Sequence, residues 1–244
     1  MNSVTIDIGN TKVKIAVWNE LGLLFQHTSS GLSYEGVKEV AEEYSADKGI
    51  VSTVRGKEEE IESELSCITG IKFILFNQPE IKKYKERIRY KFPIGTDRVA
   101  AYLGAESIWP TTGKLIIDAG TAITLDVVDN KGIFMGGDIS LGLSGRLNSL
   151  HHATALLPNV EAKESGYPFG IDTKSAIVNG AINGVAGEML YAFERGLKNY
   201  KTEKVVLTGG DGERFVSFFT DRGINCSFDP LLVSRGLDFH LRNH

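Results

Sequence analysis

Two short turns in the sequence carry the residue types that handle phosphate. In Asp7-Ile8-Gly9-Asn10-Thr11-Lys12 a glycine removes the side chain that would keep a polyphosphate from the backbone, and Asn10 and Thr11 can donate hydrogen bonds to phosphate oxygens. Asp7 beside them would repel phosphate unless a divalent cation lay between, so the turn calls for Mg²⁺, held by Asp7 through water. The same residue types return in Asp118-Ala119-Gly120-Thr121. No GxxxxGK[ST] segment occurs, so the phosphate chemistry is not that of a P-loop enzyme.

Each turn needs strands to present it. Val4, Ile6 and Ile8 alternate with Thr5 and Asp7, and Val13, Ile15 and Val17 alternate beyond the turn, the period of a hairpin with one buried face. The segment Leu115 to Asp129 echoes Val4 to Trp18 as strand, Asp-x-Gly turn with Thr, strand; its more continuous apolar run predicts a more buried sheet. Each copy opens a stretch the size of a small domain, with Trp109 to Lys114 as the joint. The expected organisation is therefore two related lobes, residues 1–112 and 113–244, facing one another across a cleft.

Within the first lobe the pattern predicts helices at Tyr34 to Ser45, Glu58 to Ser66, Pro79 to Tyr90 and Asp97 to Ser107, with short strands near Gly49 to Ser52 and Lys72 to Phe76. In the second, a glycine-rich stretch from Gly136 to Gly145 precedes helices at Ser144 to Ala155, Thr173 to Asn199 and Gly212 to Thr220. A strand is expected at Lys204 to Gly209. Gly180, Gly184 and Gly187 lie at near-helical spacing, which allows close packing of another helix or a tight contact within the chain.

The bulk properties restrict the function classes. The chain has 244 residues with 42% hydrophobic and 24% charged residues, an ordinary globular mixture. A net charge of -4 supplies no general field for nucleic acid, and the basic run Lys82 to Lys91 reads as a solvated helix face. Cys67 and Cys226 form no CxxC pair, so neither a zinc site nor a disulfide framework is indicated and a reducing cytoplasm fits. No leader pattern and no segment of membrane-spanning length is expected. Adjacent His151 and His152 point in different directions on a helix and make a poor metal pair.

The turns DIGNT (Asp7 to Thr11), GTDR (Gly95 to Arg98), DAGTA (Asp118 to Ala122) and GIDT (Gly170 to Thr173), in that order, make nearly the whole chain resemble the type III pantothenate kinases. The resemblance implies the α/β, duplicated ribonuclease-H-like fold of the acetate kinase, hexokinase and actin group, assembled as a homodimer. It implies transfer of a phosphoryl group from ATP to the terminal hydroxyl of pantothenate, the first step towards coenzyme A. Carried over residue by residue, it places the ATP phosphates on Asp7, Ile8, Gly9, Asn10, Thr11, Lys12, Val13 and Lys14 and on Thr121. It makes Asp97 the base that accepts the substrate hydroxyl proton, a role that suits an alcohol attacking a γ-phosphoryl group. Arg98 can hold the substrate carboxylate in a bidentate fork; Gly95, Thr96, Tyr90 and Thr173 complete the substrate contacts. Asp118 resembles the ligand of a monovalent cation, potassium or ammonium.

The chain departs from the family pattern in two places. The interval from Tyr90 to Gly95 is short, and Leu141 stands where the family commonly has proline. Thr208 to Gly212 can admit a flat adenine ring or be only a tight strand-to-helix turn. Fold and nucleotide turns alone would also suit a sugar or acyl kinase, and relatives without kinase activity act as accessory factors in gene expression. The joint presence of Asp7, Asp97, Asp118 and Thr121 favours an enzyme. A filament-forming actin relative would be longer and would leave GTDR unexplained.

Overall fold

The computed structural model describes residues 1–244 except 57, 164, 165 and 167. The chain divides into two compact units, Met1–Pro110 with Leu231–His244 and Thr111–Pro230.

The first unit is built on strands β1 (Ser3–Ile8), β2 (Val13–Asn19), β3 (Gly22–Ser29), β4 (Lys48–Thr53) and β5 (Lys72–Leu75), in the spatial order β3-β2-β1-β4-β5. The β1–β2–β3 part is antiparallel and β4 and β5 run parallel to β1. The crossovers are helices α1 (Tyr34–Glu43), capped by the Ser33 hydroxyl accepting from the Gly36 amide, and α2 (Glu58–Thr69). Val4, Ile6 and Ile8 of β1 form one core cluster with Val13, Ile15, Val17, Val37, Ala41, Leu65 and Phe73, as the alternation predicts.

The segment expected to be one helix from Pro79 to Tyr90 is instead α3 (Gln78–Ile81) followed by a 3₁₀ turn at Lys82–Arg87, with Ile88 extended. The buried side chains Ile81 and Tyr84 are three residues apart, the repeat of a 3₁₀ helix. Lys82, Lys83, Lys85 and Glu86 are exposed, the solvated face expected of the basic run. Helix α4 (Thr96–Ile108) follows and is buried from Val99 through Glu106.

The second unit repeats the plan. Its strands β6 (Lys114–Ala119), β7 (Ala122–Val128), β8 (Phe134–Leu141), β9 (Lys204–Thr208) and β10 (Asn225–Phe228) lie in the order β10-β9-β6-β7-β8. Position for position, β6, β7, β8, β9 and β10 correspond to β1, β2, β3, β4 and β5. The glycine-rich stretch is thus mostly strand β8, leading into helix α5 (Leu143–Ala153). The long helix α6 (Thr173–Tyr200) begins at a capping box between Asp172 and Ser175 and packs Val185, Ala186, Met189 and Phe193 against Leu115, Ile117, Leu125 and Leu207. A 3₁₀ turn at Gly212–Phe215 leads into α7 (Val216–Thr220).

Two further sequence expectations differ from the structure. The second copy is not the more buried: β1 and β6 share one burial pattern. The polar face of β1 is covered as well, with Ser3 and Thr5 both buried and Thr5 Oγ1 accepting from Trp18 Nε1 at 3.0 Å. The cover is the final helix, α8 (Leu232–Asn243), which groups with the first unit and not with residues 113–230. Ser3 Oγ donates to the Asp238 carboxylate, Arg242 Nε donates to Asp238 Oδ2 at 2.7 Å, and Lys48 Nζ donates to the Leu241 carbonyl at 2.6 Å. Helices α4 and α8 meet at Gly104 and Gly236; a Cβ on Gly236 would lie 1.8 Å from the Ala100 carbonyl oxygen.

A buried polar chain fastens the far end of α8. His240 is fully buried; its Nε2 is 2.8 Å from Glu80 Oε2 and its Nδ1 is 2.7 Å from the Tyr84 hydroxyl. The neutral imidazole satisfies both, donating from Nε2 and accepting at Nδ1. Burial pushes His240 down to about 4, against the pull of Glu80 and with help from His244 and Lys83. Burial would raise Glu80, but the bonds from Lys83 and His240 outweigh it and hold its carboxyl below the usual range. An unfolded histidine titrates near 6.5, so between about pH 6.5 and 4 the unfolded chain binds a proton that the folded chain excludes. Stability is therefore complete above pH 6.5 and falls with acidification, by about 2 kcal/mol at pH 4.5. Denaturant midpoints measured across this range will show that loss, and His240→Gln will remove most of the slope; an unaltered slope in the variant assigns it to other groups.

Candidate active site

Asp7, next to the last residue of β1, stands in register with Lys14 of β2 and Ser52 of β4. The turn beyond it is closed by the Gly9 amide donating to the Lys12 carbonyl at 3.0 Å. Asn10, Thr11 and Lys12 are exposed, while Asp7, Gly9 and Lys14 are half-buried. Ile8 and Val13, which the sequence reading included among the phosphate contacts, bury their side chains in the core. They can meet a ligand only through backbone atoms.

Ser52 Oγ donates to Thr96 Oγ1 at 3.0 Å, a buried bond that fixes the first residue of α4 to the strand beside Asp7. The next residue, Asp97, is half-buried, and its Oδ1 accepts from the Arg98 amide at 2.8 Å. A Cβ on Gly95 would come within 2.6 Å of that same Oδ1, so the glycine makes room for the carboxylate. The Arg98 side chain is buried, with its guanidinium 4.9 Å from the centroid of the half-buried Tyr90 ring. The structure thus brings GTDR and Tyr90 together and joins them to the strand flanking the DIGNT turn. Ser52 was missed in the sequence because a serine inside an apolar strand carries no motif of its own. Arg55 was missed too: its Nε donates to the Gly9 carbonyl at 2.6 Å.

In the second unit Asp118, next to the last residue of β6, is in register with Thr124 and Thr208. Its turn is two residues shorter than that after β1, with the Gly120 amide donating to the Ala122 carbonyl at 3.1 Å. Thr121 is exposed, and its carbonyl accepts from Gly142, the residue before α5, at 3.0 Å. Leu141, in the family's proline position, ends β8 just before it. Gly209 has φ +86°, and a Cβ there would lie 2.4 Å from Asp118 Oδ1. Thr208 Oγ1 is buried without a hydrogen-bond partner among the described residues. A carboxylate in so narrow a cradle, beside an orphaned hydroxyl, is a donor set that suits a cation. Thr208 to Gly212 forms a strand end and a 3₁₀ turn, with Gly210, Asp211, Glu213 and Arg214 lining an open pocket of about 530 Å³ with Ala162 and Lys163. Thr173 is the exposed first residue of α6. The first unit therefore holds Asp7 to Lys14, Tyr90 and Gly95 to Arg98, and the second holds Asp118, Thr121 and Thr173.

Two sheets of matching strand order, each with an aspartate near the end of its first strand, have the fold of the actin-like ATPases and sugar kinases. The fold is shared with the activator of the 2-hydroxyisocaproyl-CoA dehydratase from Clostridium difficile, solved with bound ADPNP (TM-score 0.55, 14% identity, covering 98% of this chain and 94% of that one). It is shared also with component A of the (R)-2-hydroxyglutaryl-CoA dehydratase of Acidaminococcus fermentans (TM-score 0.54, 14% identity, covering 98% and 97%). Residues 3–195 match the family model of the type III pantothenate kinases. Type III pantothenate kinases of Porphyromonas gingivalis and Bacteroides fragilis are each 33% identical to the chain, covering 86% of this chain and 86% of the first relative, and 97% of this chain and 96% of the second. The chain belongs to the type III pantothenate kinase family. It is an enzyme whose reaction is the phosphorylation of pantothenate, the first step of coenzyme A biosynthesis.

Proposed function

We propose that this kinase holds the ATP phosphates on the Asp7 to Lys14 turn and on Thr121, and uses Asp97 as the general base on the terminal hydroxyl of pantothenate. The observation that carries this reading is the Ser52–Thr96 hydrogen bond, 3.0 Å long, which ties the start of α4 to the strand beside Asp7. The carboxyl ends of β1 and β4 then carry both the phosphate turn and the carboxylate. Asp97 Oδ1 holds the Arg98 amide, so Oδ2 takes the proton as the hydroxyl oxygen bonds to the γ-phosphorus and the bridging P–O bond to ADP breaks. Arg98, steadied on Tyr90, holds the pantothenate carboxylate, with Gly95, Thr96 and Tyr90 beside it, and the family resemblance adds Thr173 as a substrate contact. Mg²⁺ would be held by Asp7 through water and would offset phosphate charge.

Asp118 holds a monovalent cation, potassium or ammonium, an assignment supported by the Gly209 cradle and the orphaned Thr208 hydroxyl. The open pocket at Gly210 to Arg214 takes the adenine end of ATP. A homodimer is supported by the exposed stripe Gly180, Gly184, Gly187 and Tyr191 on α6, where a Cβ at Gly180 or Gly187 would meet nothing within 4 Å. Among the described residues no helix is long and apolar enough to cross a membrane, which is in keeping with a cytoplasmic enzyme.

The test is coupled ADP release with ATP and Mg²⁺ in potassium or in sodium, with pantothenate compared against sugars and acetate. Pantothenate-dependent release is expected, falling about tenfold or more when sodium replaces potassium, the cost of a poorly fitting ion beside the phosphates. Equal rates in the two salts remove the cation role from Asp118; release with a sugar and not with pantothenate overturns the acceptor.

A further inference from the structure

Arg55 lies two residues beyond β4, at the carboxyl end of the parallel strands that carry the phosphate turn, and no motif accounts for it. Its backbone is held firmly. The Val54 amide donates to the Ile8 carbonyl at 3.1 Å, extending the β1–β4 ladder, and the Arg55 amide donates to Thr53 Oγ1 at 3.1 Å. From that anchor the side chain returns across the DIGNT turn, where its Nε donates to the Gly9 carbonyl at 2.6 Å. The side chain is exposed, and no carboxylate forms an ion pair with it among the described residues. A guanidinium fixed through Nε still presents its two terminal nitrogens as a planar fork, the geometry that grips phosphate oxygens in pairs.

We propose that Arg55 is a phosphate-binding residue of this kinase: its bond to Gly9 aims the Nη1–Nη2 edge at the polyphosphate of ATP lying on the Asp7 to Lys14 turn. The proposal rests on the placement of ATP given above. It explains why a cation is tied to a turn carbonyl with no acidic partner. Asp7 at the start of the turn repels phosphate, and a positive fork fixed against the same turn from the end of β4 offsets that repulsion without a mobile side chain having to be ordered on binding. A lysine has three donors on one nitrogen and no planar fork, so it cannot hold the carbonyl through one nitrogen while presenting a separate two-nitrogen edge to the phosphate.

Arg55→Gln and Arg55→Lys are compared with the parent enzyme by steady-state kinetics and by calorimetric titration with ATP and with adenosine. Loss of a charge-assisted phosphate contact is expected to raise the KM for ATP and weaken ATP binding about tenfold in both variants. The KM for pantothenate and the binding of adenosine should remain within about twofold of the parent, as should any property that reads the acceptor or the base alone. ATP affinity unchanged in either variant overturns the proposal, leaving Arg55 as a clip on the turn. Equal rises for ATP and pantothenate also overturn it, since they report a collapsed turn. If the parent protein shows no pantothenate-dependent turnover, the kinase reading fails, and the ATP titrations still decide the role of Arg55.

Discussion

Asp97→Asn will lower kcat about 10²–10⁴-fold while leaving ATP binding and the fold in place. The substitution keeps the oxygen that accepts the Arg98 amide, so the first turn of α4 loses no hydrogen bond. It also leaves the Ser52–Thr96 tie and the stacking of Arg98 on Tyr90 intact. What disappears is an oxygen able to take the hydroxyl proton as the new O–P bond forms. An effect confined to the chemical step lowers kcat and kcat/KM together, whereas loss of acceptor binding would raise KM at constant kcat. Because Asp97 is only half-buried and bonds to its own turn, the melting temperature should stay within about 2 °C of the parent. Single-turnover rates with preformed ATP complex measure this directly. Near-normal turnover would remove Asp97 from the mechanism, and a large drop in melting temperature would make the carboxylate a structural group.

The sequence made the chemistry easier to read than the packing. Asp7 and Asp118 were visible because each combines an acidic residue, a glycine and a threonine at the end of an apolar strand, and both lie at strand ends in equivalent sheet positions. The echo between Val4 to Trp18 and Leu115 to Asp129 extended only over two strands, yet the duplication covers all five. The outer strands could not be matched by eye because β3 is largely exposed and keeps little apolar pattern, and β10 has four residues. The last helix was hidden for another reason. Leu232, Val233, Gly236, Leu237, His240 and Leu241 have the spacing of an amphipathic helix, but periodicity tells which face is buried and not which sheet buries it. That choice is made by complementary shape and by side chains distant in sequence: Ser3 with Asp238, Lys48 with Leu241, Gly104 with Gly236. The same limit hid Ser52 and Arg55, whose functional meaning comes from what lies across the sheet.

Gly236→Ala should be the most damaging single methyl in the first unit. A Cβ at this position would lie 1.8 Å from the Ala100 carbonyl oxygen and 2.8 Å from the Gly104 amide nitrogen, both rigid backbone atoms of α4. No rotamer change can relieve such a contact, so the two helices must separate by more than an ångström. That separation opens voids on both sides of a helix whose residues from Val99 to Glu106 are buried. Overpacking of this kind costs about 3 kcal/mol, equivalent to a fall of roughly 6–12 °C in melting temperature for a chain of this size. Turnover should fall as well, because α4 carries Thr96 and Asp97 on its first turn and cannot move away from α8 without disturbing the Ser52–Thr96 bond. Thermal melts and kcat measured on the same preparation test both consequences. A variant as stable as the parent would show that α8 does not rest on α4 in solution, and so would remove residues 231–244 from the first unit. A variant that is destabilised but fully active below its transition would separate the seat of α8 from the placement of Asp97, and would leave the Ser52–Thr96 tie as sufficient to hold the base where the phosphate turn needs it.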